Sequence, residues 1–317
     1  MRALVCTGFG AGENLKLVVR PGPEPGPGEV RVRVLACGAN ASDWEFVTGS
    51  PFYARLSRWF TRRRDVFGSD VLGVVDKLGP GCTRLKTGQR VLADTFGRFG
   101  GFAEACVAKE ALWVPVPKDV SDVFAAALPQ SGTIALTAMR GRARPGFRVL
   151  VNGGGGGSGP LAIQLARTAG AEVWGVDTAA KADVMREAGA VRTLDFERED
   201  FATLSTTFDL VLDLFGTRSM RRVRRVLAPG GAYLMVGGPV RHVLGAGLAT
   251  LWTRFSKRRA GLLMVPQGPD ALATLLEMVE DGRLTPVVGE VTSLDCSRDA
   301  LIDMGARKIA GKLVIVP

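Results

Sequence analysis

Residues 30–35, VRVRVL, alternate apolar and charged positions with the two-residue period of a strand that buries one face. Shorter apolar runs follow at residues 71–75, 91–93 and 112–116. Turn-forming stretches separate these runs: PGPEPGPGE before the first strand, LGPGC at 78–82, KTGQR at 86–90 and GRFGG at 97–101. Residues 1–122 therefore predict an antiparallel, mostly β domain. The period changes at Ser121, which is placed to cap a helix whose apolar positions Val123, Ala126 and Ala127 recur at helical spacing.

Beyond that point strands and helices alternate: FRVLVNG, PLAIQLARTAG, AEVWGVD, AAKADVMREAGA, then the apolar strands FDLVLDLFG and AYLMVGG. Nearly continuous apolar strands between amphipathic helices imply parallel pairing with both sheet faces covered, the doubly wound α/β arrangement. The final run GKLVIVP is expected to rejoin the first domain. The predicted organisation is a β domain over residues 1–122, completed by 284–317, around a doubly wound domain over 123–283.

Length sets the scale: 317 residues with 46% apolar composition support two cores, since a domain typically takes ~150 residues. The formal charge of +10 admits an anionic partner. Its clusters, Arg62 to Arg64, Arg221 with Arg222, Arg224 and Arg225, and Lys257 to Arg259, read as solvated faces, and the middle one has no interleaved aromatics for stacking bases. No nucleic-acid partner is expected. Five cysteines at wide spacing, with no CxxC pair, predict reduced thiols. MRALVCTGFG lacks an apolar targeting core and no run reaches the ~18 apolar residues of a membrane span, so a cytoplasmic protein without transmembrane segment is expected.

Candidate chemistry begins where the strand FRVLVNG ends. Gly153, Gly156 and Gly159 fall at GxxGxxG spacing before a helix over 161–167. Glycines there permit a tight turn and close approach to a pyrophosphate, and the helix N-terminus offers free N–H groups; a flexible connection is the plain alternative. Asp177 closes the next strand 18 positions after Gly159, close to the ~20 of a ribose-binding carboxylate. It leans the cofactor toward NAD(H) over NADP(H) by repelling a 2′-phosphate, although Thr178 and Lys181 suit that phosphate if Asp177 turns away. Asp177 also suits a helix cap.

With these residues in view the chain resembles the medium-chain dehydrogenase/reductase superfamily, in its zinc-free quinone oxidoreductase-like branch. The resemblance rests on PGPGEVRVRVLACGANASDW, FGSDVLGVVDKLGPGCTRLKTGQRV, GGFAEACVAKEALWVPVP, VNGGGGGSGPLAIQLARTAGAEV, DLVLDLFG and GKLVIVP. It implies a GroES-like β domain, a Rossmann nucleotide-binding domain, an active-site cleft at their junction and a homodimer. Zinc-bearing relatives have Cys where this chain has Asn40, and His and Glu where it has Ser69 and Asp70, so no metal site is expected. Without a Lewis acid the easier reaction is hydride delivery to a conjugated acceptor, an α,β-unsaturated carbonyl compound or quinone.

The resemblance further implies that Asn40 lines the nicotinamide pocket and binds the acceptor carbonyl. Tyr53 follows on the same loop and either donates a proton or packs. Asp43 is expected to brace the loop. Gly156, Gly157 and Ser158 carry over to the pyrophosphate, Phe215, Gly216, Val236, Gly237 and Gly238 to the ribose and nicotinamide side, and Lys312 to the GK pair of the tail. Ile134 replaces the branch's threonine, with Thr133 one residue away. Two stretches stand apart. Residues 51–64, with Phe52, Tyr53, Trp59 and Phe60, suit a flat substrate's entrance; residues 240–264, with Leu248, Leu251, Trp252 and Phe255, suit a helix at the cleft or dimer seam, or one lying on a membrane surface. The expected activity is reduction of a small conjugated acceptor by NAD(P)H. A specialised biosynthetic or non-redox member, or a nucleotide sensor without turnover, are the rival readings.

Overall fold

The computed structural model describes residues 1–60, 65–253 and 256–317, with side chains at 57–60 and 251 left aside. Arg62, Arg63, Arg64 and Phe255 thus lie outside the described residues, as do the side chains of Trp59, Phe60 and Leu251. The strands in chain order are β1 (Arg2–Cys6), β2 (Leu15–Val19), β3 (Glu29–Ala39), β4 (Asp70–Leu78), β5 (Arg90–Asp94), β6 (Ala105–Lys109), β7 (Val114–Pro115), β8 (Arg148–Asn152), β9 (Glu172–Asp177), β10 (Arg192–Asp195), β11 (Phe208–Asp213), β12 (Leu227–Met235), β13 (Arg259–Leu262), β14 (Val288–Ser293) and β15 (Lys312–Val316). Two compact units result: Met1–Thr133 with Gln267–Pro317, and Ile134–Pro266.

In the first unit one sheet runs β14-β15-β3-β4-β5-β7, with β6 also on β3; β1 and β2 pair apart. The VRVRVL alternation is realised in β3, where Val30, Val32 and Val34 are buried, Arg31 pairs with Asp76 and Arg33 is exposed. The closing segment does rejoin this sheet: β15 lies antiparallel to β3 with Leu313 opposite Ala39. Ser121 caps the helix Asp122–Ala126 by accepting the Phe124 N–H. The run 112–116 is only partly strand, because Leu112 ends a 3-10 turn and Val114–Pro115 alone pairs with β5; Pro115 has no N–H to extend the ladder. Trp113, Phe102 and an aromatic group of Phe46, Phe67 and Phe99 fill the core. All five cysteines are free thiols.

The units change over at 133/134 and 266/267, where the sequence reading put 122/123 and 283/284. The helix Pro269–Glu280 belongs to the first unit since it buries Leu272, Leu275 and Leu276, with Leu275 against Gly132.

The second unit is a parallel sheet in the order β10-β9-β8-β11-β12-β13. Successive strands run outward from β8 in one direction and then from β11 in the other, so the winding reverses between those two. Ligands bind such sheets at the carboxyl ends of the strands beside that reversal. Residues 240–264 give a helix, Val240–Trp252, followed by β13. Val243, Ala246 and Ala249 face the core while Leu244, Leu248 and Trp252 are exposed.

Candidate functional site

At the carboxyl end of β8 the chain turns through Gly153, whose φ of +92° and position 2.9 Å (measured from an added Cβ) from the Phe215 ring leave no room for a side chain. Gly159 is tighter still, since a Cβ there would lie 2.3 Å from the Gly153 carbonyl oxygen. These contacts fold the loop onto the start of the helix Gly159–Thr168, whose cap residue Ser158 makes no side-chain cap. At Gly156, by contrast, an added Cβ meets nothing closer than 3.7 Å. Uncapped N–H groups and helix dipole beside open space fit a pyrophosphate.

Asp177, at the end of β9, is buried and accepts from Gly155 N at 3.0 Å and Thr178 N at 2.9 Å, with Lys181 Nζ 3.8 Å away. Its carboxylate therefore braces the glycine loop. The turn after β9 starts at Thr178, so the reading of Asp177 as a helix cap gives way to this loop-to-strand tie. A residue that the sequence reading passed over organises the next strand end. Asp213 Oδ1 accepts from Asn152 Nδ2, Phe215 N and Gly216 N, and its Oδ2 accepts the Tyr233 hydroxyl, at 2.7–3.1 Å. The loop bearing Phe215 and Gly216 is thus held against Gly153. It also touches the Val236 to Gly238 turn, since a Cβ on Gly238 would lie 2.4 Å from the Phe215 carbonyl oxygen. His242 Nδ1 donates to the Gly216 carbonyl oxygen at 2.6 Å. Every glycine-run and strand-end residue expected at the dinucleotide falls on this one edge of the sheet.

The first unit gathers a second set. Lys312 opens β15 beside the end of β3, and Asp70 opens β4 opposite Gly38. The Lys312 ammonium donates to Asn40 Oδ1 at 2.5 Å, Asp70 Oδ2 at 2.8 Å and Ser131 Oγ at 2.9 Å. Asn40 Nδ2 reaches Ser69 Oγ at 3.3 Å, Ser69 Oγ reaches Asp70 Oδ1 at 3.4 Å, and Gln130 N donates to that same Asp70 oxygen. Each of these side chains except Gln130 is buried. Gly38 has no Cβ for a reason: one would strike the Ala126 carbonyl oxygen at 2.2 Å and Lys312 Cε at 2.8 Å. Asp43 braces the loop as expected, accepting from Asn40 N and Gly68 N. Burial pushes its carboxyl up to about 7.

Tyr53 lies outside this cluster's hydrogen bonds. Its hydroxyl donates to Glu45 Oε2 at 2.9 Å, and burial together with the Glu45 carboxylate raises the phenol's pKa, which weakens it as an acid. Trp44 and Phe46 pack inward, Trp44 against Gly305 and Phe46 among the core aromatics.

Comparison with known proteins matches residues 26–118 to the alcohol dehydrogenase GroES-like domain and residues 188–315 to the family described as zinc-binding dehydrogenase. The synaptic vesicle membrane protein VAT-1 homolog of Rattus norvegicus is 30% identical over all of this chain and 84% of its own length. The 2-methylene-furan-3-one reductase of Solanum lycopersicum is 30% identical over 100% and 79%. The chain belongs to the medium-chain dehydrogenase/reductase superfamily, in its quinone oxidoreductase-like branch. Among solved structures, the quinone oxidoreductase of Coxiella burnetii superposes with a TM-score of 0.87 at 27% identity, covering 100% of this chain and 99% of that one. Mycobacterial Rv1454c complexed with NADPH superposes with a TM-score of 0.82 at 27% identity and full coverage of both chains. As a member of this superfamily the protein is an oxidoreductase that uses a nicotinamide dinucleotide, and the edge described above fits that group. Among the described residues no helix is long and apolar enough to cross a membrane.

Zinc, which one family description implies, does not fit the residues present. An amide, a hydroxyl and one carboxylate stand at the ligand positions, and the Lys312 ammonium already occupies the space among them.

Proposed function

We propose that the protein reduces α,β-unsaturated carbonyl compounds or quinones with NAD(P)H, without a metal. The observation that carries this reading is the Lys312 ammonium seated among Asn40, Asp70 and Ser131. A conjugated acceptor suits such a site because charge arriving with the hydride spreads over the acceptor and needs only hydrogen-bond donors at its oxygen. Bound dihydronicotinamide supplies the hydride. Gly156 and Ser158 meet the pyrophosphate, Asp177 and Lys181 the adenosine ribose, and Asn40 donates to the acceptor oxygen. The hydrogen bond from Tyr53 to Glu45 favours a structural role for that phenol, with solvent delivering the proton. The tomato reductase and the Coxiella quinone oxidoreductase support the acceptor class. Asp177 supports NAD(H), because its carboxylate repels a 2′-phosphate. The outward Leu244, Leu248 and Trp252 support a homodimer, the form common in this superfamily.

Titration with NADH and NADPH, followed by nicotinamide fluorescence and then by addition of cyclohex-2-en-1-one or 1,4-benzoquinone, tests the cofactor and the acceptor class. Tighter NADH binding and signal loss on adding acceptor are expected. Preference for NADPH moves selection from Asp177 to Thr178 and Lys181. Binding without oxidation by any acceptor replaces the reductase by a nucleotide sensor.

A further inference from the structure

Lys312 closes a ring with three other buried groups. Lys312 donates to Asn40 and Asp70, Asn40 donates to Ser69, and Ser69 donates to Asp70. An ammonium carries three donors and no acceptor, and here all three are spent, the last on Ser131. Only the oxygen end of a carboxamide can face such a group, so Lys312 dictates which way round Asn40 stands. The helix Pro129–Met139 enters through Ser131 and Gln130, and Gly38 leaves the space that the lysine side chain needs.

Asn40 has two Nδ2 hydrogens, and one of them reaches Ser69 Oγ. The other has no partner among the described residues, although the residue is only 6% exposed. A nearly buried amide donor is rarely left unpaired unless something else supplies an acceptor. The ammonium on Oδ1 also polarises the amide and makes its free N–H a stronger donor, because hydrogen bonds in a chain reinforce one another in a low-dielectric setting.

We propose that Lys312 and Asp70 are positioning residues for the reduction, holding the Asn40 carboxamide oxygen-inward so that its free Nδ2 hydrogen is presented to the carbonyl oxygen of the acceptor. The proposal rests on the reading above that Asn40 meets the acceptor. It assigns Lys312 to the acceptor end, where the resemblance implied only a cofactor contact. Asp70 neutralises the ammonium and fixes it in place.

Lys312→Met alone leaves the Asp70 carboxylate buried without its cation and risks the fold, so the informative variant is the double substitution Lys312→Met/Asp70→Asn, checked for folding by its thermal transition. The Asn40 side-chain amide is followed in nitrogen–proton correlation spectra, assigned through Asn40→Asp, and turnover is followed with NADH and cyclohex-2-en-1-one. The expected result is a kcat lowered at least tenfold, NADH affinity within twofold of the parent and Asn40 amide resonances moved toward solvent-like values. A folded double variant with unchanged kcat, or with unchanged Asn40 resonances, overturns the proposal. If no acceptor oxidises NADH on the parent protein, the reductase reading fails by itself. The Asn40 resonances then still decide whether Lys312 orients the amide.

Discussion

Asp213 shows what one buried carboxylate can organise. It receives two side-chain and two backbone donors, and removing it takes their acceptor from the buried Tyr233, Asn152 and Gly216. Each buried donor so stranded costs about 1–3 kcal/mol, so Asp213→Ala is expected to lower stability by at least about 3 kcal/mol and to weaken NADH binding with it. Urea unfolding and fluorescence titration check the pair; a variant of parental stability contradicts the account. At this scale the sequence was informative where the signal is local. Gly153, Gly156, Gly159 and Asp177 are legible because turn, helix start and strand end follow within a short stretch. Asp213 was not legible, since Asn152 lies 61 positions away and Tyr233 lies 20 away. Lys312 was reached only through the family resemblance, as a cofactor contact, and its partners, 181–272 positions distant, were not legible. A charge at the head of an otherwise apolar strand, as in GKLVIV and SDVLGVV, is the one sequence sign such residues leave.

Elements carry their own chemistry through register. Asp94, the last residue of β5, stands opposite Asp70 on β4, and burial first, then the Asp70 charge, pushes its carboxyl up to about 7. A carboxyl raised above its unfolded value favours the protonated form in the fold. The stability it contributes is complete below pH ~4 and is lost as pH rises through about 7. Asp94→Asn keeps an oxygen for the Phe96 N–H but removes the titration. Its urea midpoint relative to the parent is therefore expected to rise between pH 5 and pH 8; a constant difference refutes the assignment. Patterning read β3 and the parallel strands well because alternation and continuous burial are properties of the element alone. It over-read residues 112–116, where Pro115 stops the ladder.

On the whole-molecule scale the alternating strands and helices gave the fold class, while the exact changeovers escaped, because the helix Pro269–Glu280 is assigned by what it packs on and not by its own pattern. The edge proposed to hold the dinucleotide lies within the Ile134–Pro266 unit. Hydrogen exchange with NADH present is thus expected to slow amides at 153–159, 177–181, 214–216 and 236–238. Slowing that spares all four stretches removes the edge as the cofactor site. The chain is made from its first residue onward, and the unit that holds Asn40, Asp70 and Ser131 is interrupted by another that is continuous in sequence. The inserted unit has all its parts as soon as residue 266 is made, whereas Asp70 lacks its counter-charge until residue 312 arrives. A chain broken off in between carries every residue of the nucleotide-binding unit but leaves Asp70 without its cation, so the interrupted unit is the one such a truncation harms.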